Sequence, residues 1–486
     1  MITLPRVIHP MTHREELLHQ ARTNPEGLVD DILKLEAEVQ ELKAQAQALT
    51  ERLALNSQNS SKPPSSDGCQ KPAPQSRRGR RGRHRGGQPG HPGHTLQPVA
   101  QPDHVQIHPA TQCNCGRDLL TTPVRGYATR QVFDLPEPKL EVTEHRAEIK
   151  ICVCGRRCQA DFPPKVTAPV QYGPRVEALL VYLRDGQLLP SERVAQLFAD
   201  LYGYAISPAT VEAARQQSAA QLQPFEQRLR ELLPHQPIVH ADESGLRVEG
   251  RPHWLHVIST AKLTFYAVDP RRGSAAFQTI DLLPHFTGRL IHDCLPAYWK
   301  LTCAHGICNA HLLRELQFVE EQLHQPWAAL MQALLLEMHQ ARQAHPDQPL
   351  APQSQLDGIL RYQSLLQAGR QANPPLPPSS QPHRGRRKQT KPQNLLDRME
   401  KYQSSILAFL DDPQVPFTNN QAEQDIRMIK VQQKISGTFR TLHGAQIFAR
   451  TRSYVSTVRK HGLNLFQMIV HAINGHPFLP PITAPT

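Results

Sequence analysis

The sequence predicts a multidomain α+β protein, on three observations. A heptad seam near the amino end requires one long helix paired with another. Two tight cysteine clusters suit a small metal-bound unit. From about residue 233 the apolar pattern shifts from helical spacing to short β-like runs, and later shifts back. With 486 residues the chain has room for several units of roughly 100–200 residues each.

The seam consists of Leu28, Ile32, Leu35, Val39, Leu42, Ala46, Leu49 and Leu53, whose spacing alternates between four and three. A sustained 3.5-residue period predicts a dimerising coiled coil rather than a helix packed on its own domain. Polar residues from Ser57 onward end the helix near Asn56.

The chain carries 55 Lys and Arg against 43 Asp and Glu, a formal charge of +12. The excess lies in two segments. From Lys62 to His94 there are eight basic residues, among them Arg77, Arg78, Arg80 and Arg81, against the single acid Asp67. From Asn373 to Gln393 there are Arg384, Arg386, Arg387, Lys388 and Lys391 and no acid. Both segments are rich in Pro and Gly, which predicts unfolded arms rather than a charged folded face. Arginine-rich arms suit a polyanion such as nucleic acid, bound without sequence preference. Proline, at 44 residues or about 9%, against a usual ~5%, fits long irregular connectors. No apolar run reaches the ~18 residues of a membrane span, and the first thirty residues carry no secretory pattern.

Nine cysteines are an odd number and a poor disulfide framework. Cys113-x-Cys115-Gly and Cys152-x-Cys154-Gly-x-x-Cys158 instead resemble paired metal knuckles, in which a Cys-Gly step lets the chain fold back on the ion. The expected Zn²⁺ ligands are Cys113, Cys115, Cys152 and Cys154, with Cys158 as a substitute in the second pair. The alternative is a metal-free unit with reduced thiols. The middle of this unit, Arg130–Leu135 and Leu140–His145, has strand-like composition. Cys294 and Cys303 read as core thiols.

Three helical patterns follow, at 176–183, 191–201 and 207–222, with Ser207-Pro208 as a start signal. The short Tyr202-Gly203-Tyr204 connection allows either a helix-turn-helix or an ordinary helical hairpin. Five short β-like runs come next, at 238–242, 253–258, 263–268, 289–293 and 304–308. A helix is expected from about Ala310, helical sequence over 326–370 and 394–410, and a helix from Asn420 to about Lys430 with Asn419 or Asn420 as cap.

Asp242 and Asp293 each end a β-like run, and Glu423 lies on the helix beginning near Asn420. Two strand-end aspartates with a helical carboxylate make a hard-oxygen cage suited to two Mg²⁺ ions. Glu243 is set aside because it points to the opposite face if the strand continues. Asp425 is set aside because it lies about 200° around the helix from Glu423. Arg427 and Lys430 share the Glu423 face and suit phosphate contacts. Cys308-x-x-His311 supplies two metal ligands where a structural zinc site needs four, and is not read as one.

The surrounding residues resemble the insertion-sequence-66 family of DDE transposases over roughly residues 28–475. The blocks are Asn59-Ser-Ser-Lys-Pro-Pro-Ser-Ser-Asp67, the paired cysteines, His240-Ala-Asp242-Glu-Ser, and His292-Asp293-Cys-Leu-Pro-Ala-Tyr298-Trp. Cys308-Asn-Ala-His311-Leu-Leu-Arg314, Asn419-Asn420-Gln-Ala-Glu423 and Lys434-Ile-Ser-Gly-Thr-Phe-Arg440 complete them. The resemblance implies an RNase H-like core with Asp242, Asp293 and Glu423 as catalytic Mg²⁺ ligands. It places Cys308, His311 and Arg314 near the active site, and Arg427, Lys430, Lys434 and Arg440 on DNA. It implies DNA cleavage at element ends and strand transfer into target DNA, in the cytoplasm with the nucleoid. It also implies a homodimer or larger assembly, with accessory transposition proteins as possible partners. The rival reading is a catalytically inactive zinc and coiled-coil DNA-binding regulator.

The expected layout is a coiled-coil segment (1–56), a basic linker (57–110), a zinc-binding unit (111–165) and a helical DNA-binding region (166–232). An RNase H-like core follows in two parts (233–325 and 394–475), split by a helical and Pro-rich insertion (326–393), with a tail at 476–486.

Overall fold

The structure, a computed structural model, describes residues 18, 21–56, 59, 95–345, 347–374 and 389–482. Most of the two basic arms falls outside these residues. The chain divides into two compact units: Pro72–Pro169 with Leu197–Ala205, and the remainder. None of the described helices is long and apolar enough to cross a membrane.

Helix α1 spans Pro25–Leu53. Asn24 caps it, its side chain accepting the Gly27 N–H at 3.0 Å, and Pro25 occupies the first helical position. The apolar seam lies open: Ile32, Leu35, Val39, Leu42, Leu49 and Leu53 are all at least 45% exposed. That much aliphatic surface in one stripe on a single helix suits a partner helix.

In the smaller unit both cysteine pairs form the same turn. The Cys113 N–H donates to the Arg117 carbonyl and the Gly116 N–H to the Cys113 carbonyl; Cys152, Arg156 and Gly155 repeat the pattern. Gly116 and Gly155 have φ of 88° and 81°, a conformation in which a side chain would be strained. The second turn joins strands β1 (Ile149–Ile151) and β2 (Arg157–Gln159), an antiparallel pair. The strand-like composition at 130–135 and 140–145 is not realised, and both stretches are irregular. Their side chains are mostly exposed, so no apolar face fixes a strand register there.

The larger unit holds helices α2 (Pro174–Val181), α4 (Pro208–Gln221) and α5 (Gln223–Leu232), while α3 (Ser191–Tyr202) runs across the division. Ser207 caps α4 as its sequence predicts. A five-stranded sheet follows, in the order β5-β4-β3-β6-β7. Its strands are β3 (Ile238–Val248), β4 (Arg251–Ser259), β5 (Thr264–Asp269), β6 (Arg289–His292) and β7 (Ala304–Ile307), with helix α6 (Ser274–Ile280) between β5 and β6. The β3-β4-β5 pairs are antiparallel, while β3-β6 and β6-β7 are parallel.

Helix α7 (Asn309–Leu323) leaves β7, followed by α8 (Pro326–Ala344), α9 (Pro352–Ala372) and α10 (Lys391–Lys401). The helical stretch expected over 326–370 is therefore two helices, divided by the Pro-containing 345–351 segment. Leu312 and Leu316 of α7, Trp327 and Met331 of α8, Tyr362 of α9 and Leu396 of α10 share one apolar core with Ile291 and Ile307 of the sheet. These helices thus share a core with the parallel strands.

Helices α11 (Asn420–Ile426) and α12 (Met428–Ser436) replace the single helix expected from Asn420 to about Lys430, with the break at Arg427. Ala422 and Ile426 of α11 and Ile429 of α12 are all buried in one cluster with Leu246, Val248, Leu255 and Val257 of the sheet. Those contacts set the two segments separately, against the continuity that helical propensity favours. Helices α13 (Leu442–Lys460) and α14 (Leu465–Ile473) close the unit, with Phe448 of α13 in the same cluster.

The open seam of α1 gives a test. A fragment of residues 1–60 is expected to sediment as a dimer at micromolar concentration. Changing Leu35, Leu42 and Leu49 together to Gln should dissociate it, since each buried leucine contributes on the order of 2 kcal/mol or more. A wild-type fragment that stays monomeric at high concentration would return the seam to packing within one chain.

Candidate active site

Strand register brings the first two carboxylates together. His240 of β3 pairs with Ile291 of β6, so Asp242 and Asp293, each two residues further on, reach the same level beyond the parallel pairing. His292 pairs with Ile307, which places Cys308 level with Asp293 at the end of β7. Neighbouring strands lie about 4.8 Å apart. Asp293 and Cys308 therefore follow the carboxyl-terminal ends of β6 and β7 at the level of Asp242. Asp242 itself lies inside β3 rather than ending its run as the sequence suggests, because pairing with β4 carries that strand on to Val248.

The backbone turns sharply at this edge. Cys294, directly after Asp293, has φ of 73°, an uncommon conformation for a non-glycine residue. Asp293 Oδ1 accepts the Leu295 N–H at 3.0 Å, and Asp242 Oδ1 accepts the Glu243 N–H at 2.8 Å.

Glu423 arrives from α11, which packs on β3 and β4. Its Oε1 lies 3.6 Å from Cys308 Sγ and 3.8 Å from His311 Nδ1. The residue before α11, Asn419, holds the helix start in place. Its Nδ2 donates to the Ala241 carbonyl at 2.8 Å, and its Oδ1 lies 2.8 Å from His240 Nδ1. With the Asn419 amine already directed at Ala241, the proton of this second bond belongs to His240 Nδ1. The Asn419 N–H meets Cys308 Sγ at 3.1 Å, and its carbonyl accepts the Glu423 N–H. Asn419 stands at the cap position of α11, yet its side chain makes no capping bond and is used across the fold instead. The sequence marks Asn419 or Asn420 as a cap but gives no sign of this use.

The electrostatics follow from the convergence. Burial first, then the charge of Glu243, Asp293 and, less strongly, Glu423 push the Asp242 carboxyl well above the usual carboxylate range. Burial raises the Cys308 thiol to about 12 and lowers the His311 imidazole, which the Arg314 charge lowers further. Among the described residues no lysine or arginine forms an ion pair with Asp242, Asp293 or Glu423.

The two acids set aside on sequence grounds each have an ion-pair partner, although Glu243 still bears on Asp242. β3 and β4 pair without a break from His240 to Val248, so side chains alternate faces and Glu243 points away from Asp242. There Glu243 meets Arg272 at 2.6 Å and the Tyr298 hydroxyl at 2.8 Å. Asp425 pairs with Lys460 at 2.7 Å. Neither Arg272 nor Lys460 was singled out from the sequence.

Among the expected DNA-contacting residues, Arg427, Lys434 and Arg440 are exposed. Lys430 is half-buried and donates to the Gly245 carbonyl at 3.1 Å. Arg77, Arg78, Arg80 and Arg81 lie outside the described residues. Cys303 is buried, and Cys294 packs partly buried against the larger core.

Cys113, Cys115, Cys152, Cys154 and Cys158 are all exposed. The Cys115 thiol is lowered by an Arg117 backbone hydrogen bond and then by Cys113; the Cys152 thiol is lowered by Cys154 backbone and side chain. Each pair is thus drawn together. Among the described residues, however, the cysteine pairs do not form a group of three or more ligands within 4.8 Å; that group is Cys308, His311 and Glu423.

Residues 169–447 match the family model described as Transposase IS66 family. This span covers more than half the chain and includes the sheet, all three carboxylates and the Cys308–His311 pair. Residues 10–97 match a family of unknown function, DUF6444. A search of curated proteins gave no match.

The Asn419 contacts make a prediction. Asn419→Ala removes two buried side-chain hydrogen bonds and strands His240 Nδ1 and the Ala241 carbonyl. At about 1–3 kcal/mol per unsatisfied buried group, unfolding stability should fall by about 2–4 kcal/mol, read by denaturant titration. A loss below about 0.5 kcal/mol would show that these bonds do not hold α11 in place.

Proposed function

The chain belongs to the IS66 family of transposases, and from that premise we propose that it cuts DNA at element ends and joins them to target DNA. Asp242, Asp293 and Glu423 are the catalytic carboxylates. The observation that carries this reading is their convergence from β3, the end of β6 and α11, with no cationic side chain paired to them among the described residues. The mixed sheet, with Asp293 just past the end of β6 and level with Asp242 in neighbouring β3, supports an RNase H-like core.

The donor set fits divalent metal. Asp242, its carboxyl raised by burial and by the charges of Glu243, Asp293 and Glu423, stands with two further carboxylates that likewise lack lysine or arginine partners among the described residues, a donor set suited to hard cations with oxygen ligands. When bound, two Mg²⁺ ions would supply Lewis acidity and activate the attacking oxygen. The residues of the chain position the reaction. Asn419 fixes the helix bearing Glu423, and the register of β3 and β6 fixes the two aspartates. Arg427, Lys434 and Arg440 offer exposed guanidinium and ammonium groups to DNA phosphates; Lys430 joins them if it releases the Gly245 carbonyl. Water attacks a phosphodiester at the element end and leaves a 3′-hydroxyl. That hydroxyl then attacks target DNA, so no covalent protein–DNA intermediate is needed.

The other parts fit the same reading. The basic arms, including Arg77, Arg78, Arg80 and Arg81, add non-specific affinity for DNA. The helices of the 166–232 region present a further DNA-binding surface. The matching Cys-x-Cys-Gly turns suit the two halves of a four-thiolate Zn²⁺ site made by Cys113, Cys115, Cys152 and Cys154. Pairing of α1 seams makes a dimer that can hold two DNA ends. The protein acts in the cytoplasm on nucleoid DNA, with accessory transposition proteins as possible partners.

A nicking assay on element-end DNA with Mg²⁺ tests this. Asp242→Asn, Asp293→Asn and Glu423→Gln should each slow nicking by at least about 100-fold, the upper range for losing even an outer-shell metal partner, with end binding nearly intact. Asp425→Asn should still nick. Wild-type nicking by any one of the three variants would remove that residue from the set. A wild-type chain that binds ends but never nicks would favour an inactive zinc and coiled-coil DNA-binding regulator.

A further inference from the structure

Cys308-x-x-His311 offers only two ligands in the sequence, but the fold adds a third from 115 residues away. The ligand atoms of Cys308, His311 and Glu423 all lie within 4.8 Å of one another. In a tetrahedral site with bonds of about 2.0–2.3 Å, neighbouring ligand atoms stand roughly 3.3–3.7 Å apart. The Cys308 Sγ to Glu423 Oε1 distance of 3.6 Å falls within that range, and the His311 Nδ1 to Oε1 distance of 3.8 Å is just beyond it. His311 Nδ1 is also buried without a hydrogen-bond partner, an unmet valence that a bound ion would satisfy.

The chemistry of the set differs from that of the carboxylates beside it. A thiolate, an imidazole and one carboxylate favour Zn²⁺, Co²⁺ or Cd²⁺ over Mg²⁺. Water can complete the tetrahedron, as it does where three protein ligands bind zinc. The thiolate and the carboxylate together would neutralise a divalent ion at this largely enclosed point.

We propose that Cys308, His311 and Glu423 form a binding site for one divalent cation of the zinc class, and that its occupation draws Glu423 away from Asp242 and Asp293. The binding stands on the geometry alone. Its inhibitory consequence rests on the catalytic reading proposed above, because it requires Glu423 to serve the other two carboxylates. The competing role for Cys308 and His311 is to position Glu423 without any ion.

Co²⁺ titration of the full-length chain tests the site, since a cobalt–thiolate bond gives a charge-transfer band. Cys113, Cys115, Cys152, Cys154 and Cys158 supply a background, so the signal is the difference between wild type and variant. Cys308→Ser should remove one thiolate contribution at saturation. His311→Ala and Glu423→Gln should weaken binding of that ion by at least about tenfold, the lower range for losing even an outer-shell partner. Asp242→Asn should leave the band intact. A Cys308→Ser spectrum superimposable on wild type would overturn the proposal. So would a band lost equally in Asp242→Asn, which would place the ion among the carboxylates. If Cys308→Ser does not fold, His311→Ala decides alone, and unchanged affinity overturns the site.

Loading one equivalent of Co²⁺ into this site should slow Mg²⁺-dependent nicking by at least tenfold. Full-rate nicking with the band developed would overturn the competition. A chain that shows the band but never nicks contradicts the catalytic reading and leaves the cation site standing.

Discussion

The site depends on one side-chain amide. Asn419 joins β3 through His240 and Ala241, the end of β7 through Cys308, and the first turn of α11 through its own carbonyl. The bond to His240 closes a separation of 179 residues. Asp242 and Asp293 need no such device, because parallel pairing of adjacent strands aligns them. Glu423 lies beyond α7 to α10 in the chain and outside the strand pairing, so a specific contact fixes its position. A buried amide with donor and acceptor both used does so at low cost, whereas an unsatisfied one would penalise every misplaced arrangement.

The neighbouring acids show how the fold separates Asp242 and Glu423 from carboxylates that have ion-pair partners. Glu243 and Asp425 lie within two residues of Asp242 and Glu423, yet each has a cation of its own, Arg272 and Lys460. The strand period of two and the helix period of 3.6 turn them toward those cations. Asp242 and Asp293 have no lysine or arginine partner among the described residues, and burial together with the charges of Glu243 and Asp293 raises the Asp242 carboxyl. That arrangement costs stability in the free chain and is the expected signature of a site that awaits positive charge.

Much of this was legible in the sequence where periodicity was strong. All five β-like runs became strands of one sheet, and the parity argument separated Asp242 from Glu243 before any coordinates. Capping chemistry found the starts of α4 and α11. What could not be read is what tertiary contact decides. The 130–145 region has strand composition but no buried face to fix a register. The helix through Glu423 breaks at Arg427, between Ala422 and Ile426 on one side and Ile429 on the other, all three buried in one cluster with the sheet. Asn419 has the residue type and position of a cap, and nothing local shows that its amide is spent 179 residues away. Cys308-x-x-His311 looks two ligands short until the chain folds Glu423 against it.

The central claim is that three carboxylates converge to hold divalent metal. Electron paramagnetic resonance of the full-length chain titrated with Mn²⁺, a spectroscopic substitute for Mg²⁺, tests it most directly. Two Mn²⁺ ions are expected close enough to couple magnetically, with the coupled signal lost in Asp242→Asn. An uncoupled signal at all concentrations, or a coupled one that survives Asp242→Asn unchanged, would contradict it.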